Sequence, residues 1–203
     1  PATQTWTLAG SLQTSRHSHA ATLLPSGKVL ITGGSSPTFL TSVEIYDPFK
    51  GSWSAEAPLS ASRVNASLTT LRNGGALVAG GTIGGVASST AEALDPVTGL
   101  WSATAGNLAV ARSKHTASLL ADGRVLVVGG VNGATVLGSA EVFNPITGSW
   151  SATSAPAGRV DHSATVLPDG RVMVIGGQAT GSNPLVTSQI FDPVTGNWTG
   201  AKD

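Results

Sequence analysis

The sequence predicts an all-β protein made of four repeated units, each a four-stranded antiparallel sheet. A unit of about 48 residues occurs four times in the 203-residue chain, and each copy contains a Gly-Gly pair with a tryptophan 19 to 21 residues after it. The Gly-Gly pairs lie 47, 49 and 47 residues apart. A fixed period of this length indicates one supersecondary unit used repeatedly. Four-stranded units arranged around an axis form a β-propeller, in which neighbouring sheets bury each other's faces.

The first two strands of each unit are predicted to form a hairpin. The first strand follows an R-x-x-H start in units one, three and four, and it runs to a turn that contains Gly27, Gly74, Gly123 or Gly170. Asn-Gly and Asp-Gly between apolar runs are strong hairpin signals, because glycine takes a positive φ without a steric penalty. The second strand is a short, mostly β-branched apolar run that ends at the Gly-Gly pair. Such a run is typical of a strand buried on both faces.

The last two strands form a second hairpin around an Asp-Pro or Asn-Pro turn. In every unit the tryptophan lies seven residues after Tyr46, Leu94, Phe143 or Phe191. This constant spacing predicts that the two side chains pack in register across the hairpin. The residues assigned to the structural repeat are Gly33, Gly34, Gly80, Gly81, Gly129, Gly130, Gly176, Gly177, Trp53, Trp101, Trp150 and Trp198.

The repeat leaves the closure of the ring open. We interpret the chain as one propeller domain or propeller segment with units at about residues 16–57, 63–106, 112–155 and 159–203, preceded by an extra outer strand and linker at residues 1–15. The extra strand contains Trp6, although unit four already has its own tryptophan strand at Trp198. Three arrangements follow: a closed four-bladed ring with a surplus strand, a segment of a propeller of about six to eight blades, or two chains paired in one larger ring. An open ring would leave a bare blade face and an unpaired edge.

Composition limits the possible partners. Eleven basic residues balance eleven acidic ones, which argues against a nucleic-acid partner and against an anionic membrane. The absence of cysteine excludes disulfides and thiolate metal sites, and no apolar run is long enough to span a membrane. The low charged fraction of 11% and the many small polar residues predict an extracellular or cell-surface protein. No signal peptide is visible, and Pro1 indicates a processed chain or an excised piece of a longer one.

The Gly-Gly pair after an apolar strand, the aromatic residue before the Asp-Pro turn and the tryptophan after it resemble the Kelch repeat. The pattern is similar to the bacterial and galactose-oxidase-type subgroup, and the resemblance covers nearly the whole chain. It implies a Kelch-type β-propeller of four four-stranded antiparallel blades plus one extra N-terminal tryptophan strand. Unit two departs from the pattern, since it has Ala66 in place of the histidine and Leu94 in place of the aromatic residue.

The resemblance also implies a candidate binding site. In peptide-binding Kelch adaptor proteins, the arginine before the first strand and the serine that opens the third strand line one mouth of the channel. The positions that match them are Arg16, Arg63, Arg112, Arg159, Ser42, Thr90, Ser139 and Thr187. Such a ring would suit an acidic peptide or a hydroxylated ligand such as a glycan, because arginine binds carboxylates in a bidentate manner. The alternative is structural, with each arginine paired to the glutamate of the third strand, Glu44, Glu92 or Glu141.

The variable parts of the repeat are the connections that follow each Gly-Gly pair. They differ in sequence and in length, so we expect individual function to reside there. Their apolar residues either pack against the blades or form a contact surface, and they are Phe39, Leu40, Val136, Leu137 and Leu185.

The sequence contains no recognisable catalytic constellation. It has no nucleophile elbow, P-loop or dinucleotide fingerprint, and the copper site of galactose oxidase requires a cysteine that this chain lacks. His17 and His19 lie two residues apart but have no evident third ligand, so neither a metal nor a cofactor is predicted. The predicted function is therefore a non-catalytic binding or scaffold module for a protein or peptide partner. The alternatives are the propeller part of a secreted carbohydrate-binding or carbohydrate-active protein, with a glycan as ligand, and a structural protein that self-associates through an open ring edge.

Overall fold

The protein is an array of four antiparallel sheets. The computed structural model describes residues 8–154 and 156–200 of the chain. Every regular element within these residues is a β-strand. The described residues contain no helix that is long and apolar enough to cross a membrane. The strands form four four-stranded sheets, named blades 1 to 4, and four two-stranded ribbons. The predicted all-β class and the four-stranded antiparallel units are confirmed.

Within each blade the four strands are hydrogen-bonded in chain order, as two hairpins side by side. Blade 1 contains β1 (Ala20–Leu23), β2 (Val29–Thr32), β5 (Val43–Asp47) and β6 (Ser52–Glu56). Blade 2 contains β7 (Ser67–Thr70), β8 (Ala76–Ala79), β11 (Ala91–Leu94) and β12 (Trp101–Ala103). Blade 3 contains β13 (Thr116–Leu119), β14 (Val125–Val128), β17 (Ala140–Asn144) and β18 (Ser149–Ala152). Blade 4 contains β19 (Ser163–Val166), β20 (Val172–Ile175), β23 (Ser188–Asp192) and β24 (Asn197–Gly200).

Each connection after a Gly-Gly pair contains a short ribbon, which the sequence analysis treated only as a variable loop. The four ribbons are β3–β4 (Ser35–Ser36 and Thr38–Phe39), β9–β10 (Thr82–Ile83 and Val86–Ala87), β15–β16 (Val131–Asn132 and Thr135–Val136) and β21–β22 (Gln178–Ala179 and Asn183–Pro184). Segments of two residues carry too little alternation to show a strand period, so pattern analysis misses them. In each blade the second strand leads to the ribbon and the third strand leads to the Asp-Pro or Asn-Pro turn. These two strands are antiparallel, as β8 and β11 are in blade 2, so the ribbon and the turn lie at opposite ends of the blade.

The register of the outer hairpin is the predicted one. Trp53 pairs with Tyr46, Trp101 with Leu94, Trp150 with Phe143 and Trp198 with Phe191. The three aromatic pairs have ring centroids 5.2, 5.0 and 5.1 Å apart and are tilted by about 45°. These contacts stabilise each hairpin beyond the area that they bury.

Blades pack face to face in one repeated manner. We call the face that contacts the following blade the forward face, and the opposite one the backward face. Leu30, Val43 and Ile45 of the blade 1 forward face pack on Ala76 and Val78 of the blade 2 backward face. Equivalent clusters join blade 2 to blade 3 and blade 3 to blade 4. The side chains of β8 and β14 are therefore at most 1% exposed, which confirms strands buried on both faces.

The Gly-Gly pair lets neighbouring blades approach at their backbones. The amide of Gly81 donates to the carbonyl of Arg112 in the next blade at 2.9 Å. Gly80 has a φ of +60°, and a Cβ on it would lie 2.5 Å from the same carbonyl. No side chain fits at this position without a backbone shift, and the same holds for Gly33 and Gly129 at the other two joints.

The first strands lie next to one another, with β7 between β1 and β13, and β13 between β7 and β19. Among residues 8–154 and 156–200, no hydrogen bond joins blade 4 to blade 1. Leu23 on blade 1 is 63% exposed and Ile175 on blade 4 is 45% exposed. Among the described residues, each of the two end faces thus exposes part of its apolar surface, although Ile31 on the blade 1 face is only 6% exposed. The predicted strand at Trp6 lies outside the described residues.

Candidate functional site

The four repeated arginines are buried inside their own units. Arg112 donates from Nη1 to the carbonyl oxygens of Gly129 and Ser139 at 2.7 and 3.1 Å, and from Nη2 to Glu141 Oε1 at 2.7 Å. Arg16, Arg63 and Arg159 make the same contacts with the matching backbone carbonyls of their units. The side chain of Arg112 is fully buried, and burial lowers its pKa while Glu141 opposes this shift.

The glutamates hold the linker that leads into each blade. Glu141 accepts hydrogen bonds from the amides of Ala109 and Val110 at 2.7 and 3.2 Å, in addition to the arginine. In unit four the neutral Gln189 takes this place, and its Oε1 accepts from Ala157 N and from Arg159 Nη2, both at 2.9 Å. Each arginine and its acidic or amide partner therefore tie a linker to a blade.

Each predicted hydroxyl residue is close to an arginine, and in every case the two residues belong to the same unit. Nη2 of each arginine lies 2.8 to 3.5 Å from the side-chain oxygen of the residue that opens the third strand. These pairs are Arg16 with Ser42, Arg63 with Thr90, Arg112 with Ser139, and Arg159 with Thr187. The Nη donors of the guanidinium groups are used on the blade itself, in the manner of the structural alternative raised from the sequence. Because these arginine side chains are buried, a ligand at this end of the blades would contact more exposed residues before it reached them.

Two histidines of the R-x-x-H starts bridge neighbouring blades. His115 Nε2 lies 2.9 Å from Ser67 Oγ of blade 2, and His162 Nε2 lies 2.9 Å from Thr116 Oγ1 of blade 3. Burial, reinforced by Arg112, lowers the pKa of His115 to about 3, and burial with Arg159 lowers that of His162 to about 4. Both imidazoles are therefore neutral at physiological pH. His17 and His19 are exposed, and no cluster of three potential metal ligands is found in the described part of the chain.

The residue before each histidine position has a left-handed backbone. Ser18, Asn65, Lys114 and Asp161 have φ values between 53° and 55°. Asn65 N donates to Ser18 O at 2.9 Å, and Lys114 N donates to Asn65 O at 3.0 Å. These four positions therefore form a row across the blades, next to the first strand of each blade. The sequence shows that these residues occupy the same position of the repeat. Because they are four different polar residue types, it does not show that they share a left-handed backbone.

Grooves separate adjacent ribbons at the same end. One groove of about 220 Å³ lies between β9–β10 and β15–β16 and includes Val86 and Asn132. A second groove of about 310 Å³ lies between β15–β16 and β21–β22 and is bordered by Lys114 and Asp161. The ammonium of Lys114 is 3.5 Å from Asp161 Oδ2, and both side chains are close to half exposed. The apolar loop residues named from the sequence do not all behave alike. Leu137 is buried against the blades, whereas Phe39 is 38% exposed.

A third opening lies at the opposite end, between blades 1 and 2. This cleft of about 330 Å³ is mostly apolar and is lined by Leu24, Leu30, Ile45, Leu94 and Trp101. The indole N–H of Trp101 has no hydrogen-bond partner among the described residues.

The comparisons with known proteins agree with this framework. The family model of the Kelch motif matches residues 16–60 and 112–154. These segments contain all four strands of blade 1 and of blade 3, including their Gly-Gly pairs and tryptophans. The match does not separate the bacterial subgroup from other Kelch repeats. No curated protein matches the chain.

Proposed function

We propose that this chain, two segments of which match the Kelch motif, is a non-catalytic binding module that holds a protein or peptide partner on its ribbon face. The ribbon face consists of the four ribbons together with the left-handed residues Ser18, Asn65, Lys114 and Asp161. Kelch repeats commonly mediate protein–protein interaction. The composition supports an extracellular or cell-surface location as part of the same proposal.

One observation carries the choice of this face: chemical variation among the units is concentrated there. The arginines, glycines and central strands repeat in all four units because they build the blades. By contrast, the matching left-handed positions hold a hydroxyl, an amide, an ammonium and a carboxylate group. A rigid scaffold that carries variable surface loops is the usual design of a binding site.

The chemistry of the two grooves favours an extended peptide. Their lining offers backbone groups of the ribbons, small hydroxyl side chains, and one charge of each sign at Lys114 and Asp161. An extended segment presents backbone donors and acceptors along its whole length, and it would pair with such a lining. Apolar side chains of the peptide would contact Val86, which is 69% exposed beside the first groove.

The test is selection from a random peptide display library, with a glycan array probed in parallel. We expect peptides that bind the wild-type chain and lose at least about tenfold in affinity, or roughly 1.4 kcal/mol, for Val86→Asp and for Lys114→Glu. Val86 is 69% exposed and Lys114 is close to half exposed, so the substitutions should leave the fold intact.

Val97→Asp is the matched control, because Val97 is 91% exposed at the Asp-Pro turn, at the other end of blade 2. Peptides that bind all ribbon variants normally but lose affinity for the Val97 variant would move the binding site to the turn end. Binding of glycans without peptides would replace the proposal by the carbohydrate alternative.

A further inference from the structure

We propose that the forward face of blade 4 binds the backward face of blade 1 of a second copy of this chain. The contact would be head to tail, and it would repeat the three blade-to-blade joints already present inside the chain. It uses the side faces of the end blades rather than the ribbon face, so it is independent of the proposed peptide site.

The first argument is a hydrogen bond that the internal joints repeat. In the joint of blades 2 and 3, the histidine of the later blade meets a hydroxyl of the earlier one, His115 with Ser67 at 2.9 Å. In the joint of blades 3 and 4 the same positions hold His162 and Thr116, also at 2.9 Å. The position of the hydroxyl is the first residue of the first strand in both cases.

The joint of blades 1 and 2 lacks both members of this pair. The hydroxyl position holds Ala20 and the histidine position holds Ala66. The two end faces nevertheless retain one member each: Ser163 lies at the hydroxyl position of blade 4, and His19 at the histidine position of blade 1. Both residues are exposed in the single chain. At each internal joint the two positions are therefore either both filled or both alanine, and a head-to-tail contact would join the remaining histidine to the remaining hydroxyl.

The second argument comes from the backbone. At each internal joint, the second glycine of the Gly-Gly pair donates to the arginine carbonyl of the next blade: Gly34 to Arg63, Gly81 to Arg112 and Gly130 to Arg159, at 2.8 to 2.9 Å. Gly177 is the corresponding donor of blade 4, with a φ of +87° like the others. Arg16 of a second copy would provide the matching carbonyl.

The third argument is the apolar surface of the end faces. Ile175 of blade 4 occupies the position of Ala79 and Val128, which are at most 1% exposed in the internal joints. On blade 1, Leu23 is 63% exposed, whereas the matching Leu119 is packed in the joint of blades 2 and 3. Covering these side chains would remove apolar surface from water, which drives most protein association. An uncovered pair of complementary faces generates a ring or a filament of copies.

The experiment is light scattering coupled to size-exclusion chromatography over a range of protein concentrations. We expect a species of at least twice the chain mass of 20.2 kDa. Ile175→Arg and Leu23→Arg should each yield a monomer, because each places a charge on one of the two faces. Val97→Arg at the Asp-Pro turn is the control, and it should associate like the wild type.

Mixing the two monomeric variants tests the direction of the contact. The Ile175 variant keeps its blade 1 face and the Leu23 variant keeps its blade 4 face, so the mixture should form one heterodimer. A face that pairs with its own kind would let one of the two variants dimerise by itself, which overturns the proposal.

The histidine and serine provide the finer test. His19→Ala and Ser163→Ala should each weaken association by roughly 2- to 10-fold, the range of one hydrogen bond. The double variant should be no weaker than either single one, since both remove the same contact. A wild-type chain that remains monomeric at every concentration overturns the proposal, whether or not it binds peptides.

Discussion

The joint between blades 1 and 2 and the joint between blades 2 and 3 have the same backbone but different side chains. Gly34 N and Gly81 N donate to the arginine carbonyl of the following blade at 2.8 and 2.9 Å. In the second joint, Phe143 packs on the core of blade 2 and Arg72 covers the turn end, where its Nη2 donates to Ala121 O.

In the first joint these two positions hold Leu94 and Pro25, which are smaller or shorter. The result is the apolar cleft of about 330 Å³ between blades 1 and 2. The blades have not moved together to close it. The difference teaches that both joints keep the same hydrogen bond to an arginine carbonyl, whether or not the apolar side chains fill the space between the blades.

The largest expected effect comes from the part that the two joints share. Arg63→Ala and Arg112→Ala should each lower the free energy of unfolding by about 3–5 kcal/mol, because each leaves a buried glutamate without its partner. Urea denaturation followed by circular dichroism measures this. Arg124→Ala should cost no more than about 1 kcal/mol, as its partners are Asp122 on an exposed turn and, at 3.3 Å, the carbonyl of Pro193. A clear difference between Arg63→Ala and Arg112→Ala would mean that the joints are not equivalent at their backbones.

Acid should separate the two joints. The pKa values of His115 and His162 are lowered to about 3 and about 4 in the folded state, against about 6.5 for an unfolded histidine. Their contribution is therefore complete above about pH 6.5 and is lost as the pH falls towards the folded values. The loss is about 1 kcal/mol per pH unit for each histidine.

Hydrogen exchange between pH 7 and pH 5, corrected for the intrinsic rates, follows this loss at single amides. Protection of Gly81 and Gly130 should fall with pH more steeply than that of Gly34, whose joint has no histidine between the blades and which contacts only His19 of its own blade. Replacing His115 and His162 by glutamine should remove the dependence. Equal loss at all three glycines would contradict the assignment to the histidines.

Phe143→Leu should convert the second joint towards the first. We expect a loss of about 1–2 kcal/mol, part of the 3–5 kcal/mol typical of a complete Phe→Ala truncation, because the ring contact with Trp150 is removed as well. Thermal unfolding measures the change. The same substitution at Phe191 is a useful match, since its ring is also 2% exposed or less. An unchanged melting temperature would show that the joint readily collapses around the smaller side chain.

Leu94→Phe should produce the smallest change in stability, and it should stabilise the fold where the preceding substitutions destabilise it. The added ring would occupy the cleft beside Trp101 and raise the stability by about 0.5–1 kcal/mol, as cavity-filling substitutions commonly do. Leu94→Met is the control of similar volume, and it should be nearly neutral. A destabilised Phe variant would mean that the cleft is held open by surrounding side chains that cannot move aside.

Much of the fold could be predicted from the sequence, since its determinants are local and repeated. The Gly-Gly pairs, the Asp-Pro turns and the spacing of Tyr46 from Trp53 define the hairpins, and the structure has them in the predicted register. Ribbons such as β9–β10 escaped prediction because two-residue strands have no period. The left-handed residues, such as Lys114, escaped it because positive φ in a polar residue depends on contacts with the next blade.

The sequence by itself determined the class, the number of units and the residues that build each blade, because short-range periodicity and turn chemistry are written in neighbouring residues. Only the tertiary structure decided what the repeated arginines do. Their charge and position suit a ligand or a buried partner equally well, and the choice depends on solvent access, which Arg112 lacks entirely. The pairing of His115 with Ser67 likewise joins residues 48 positions apart, and it exists only because two blades pack face to face.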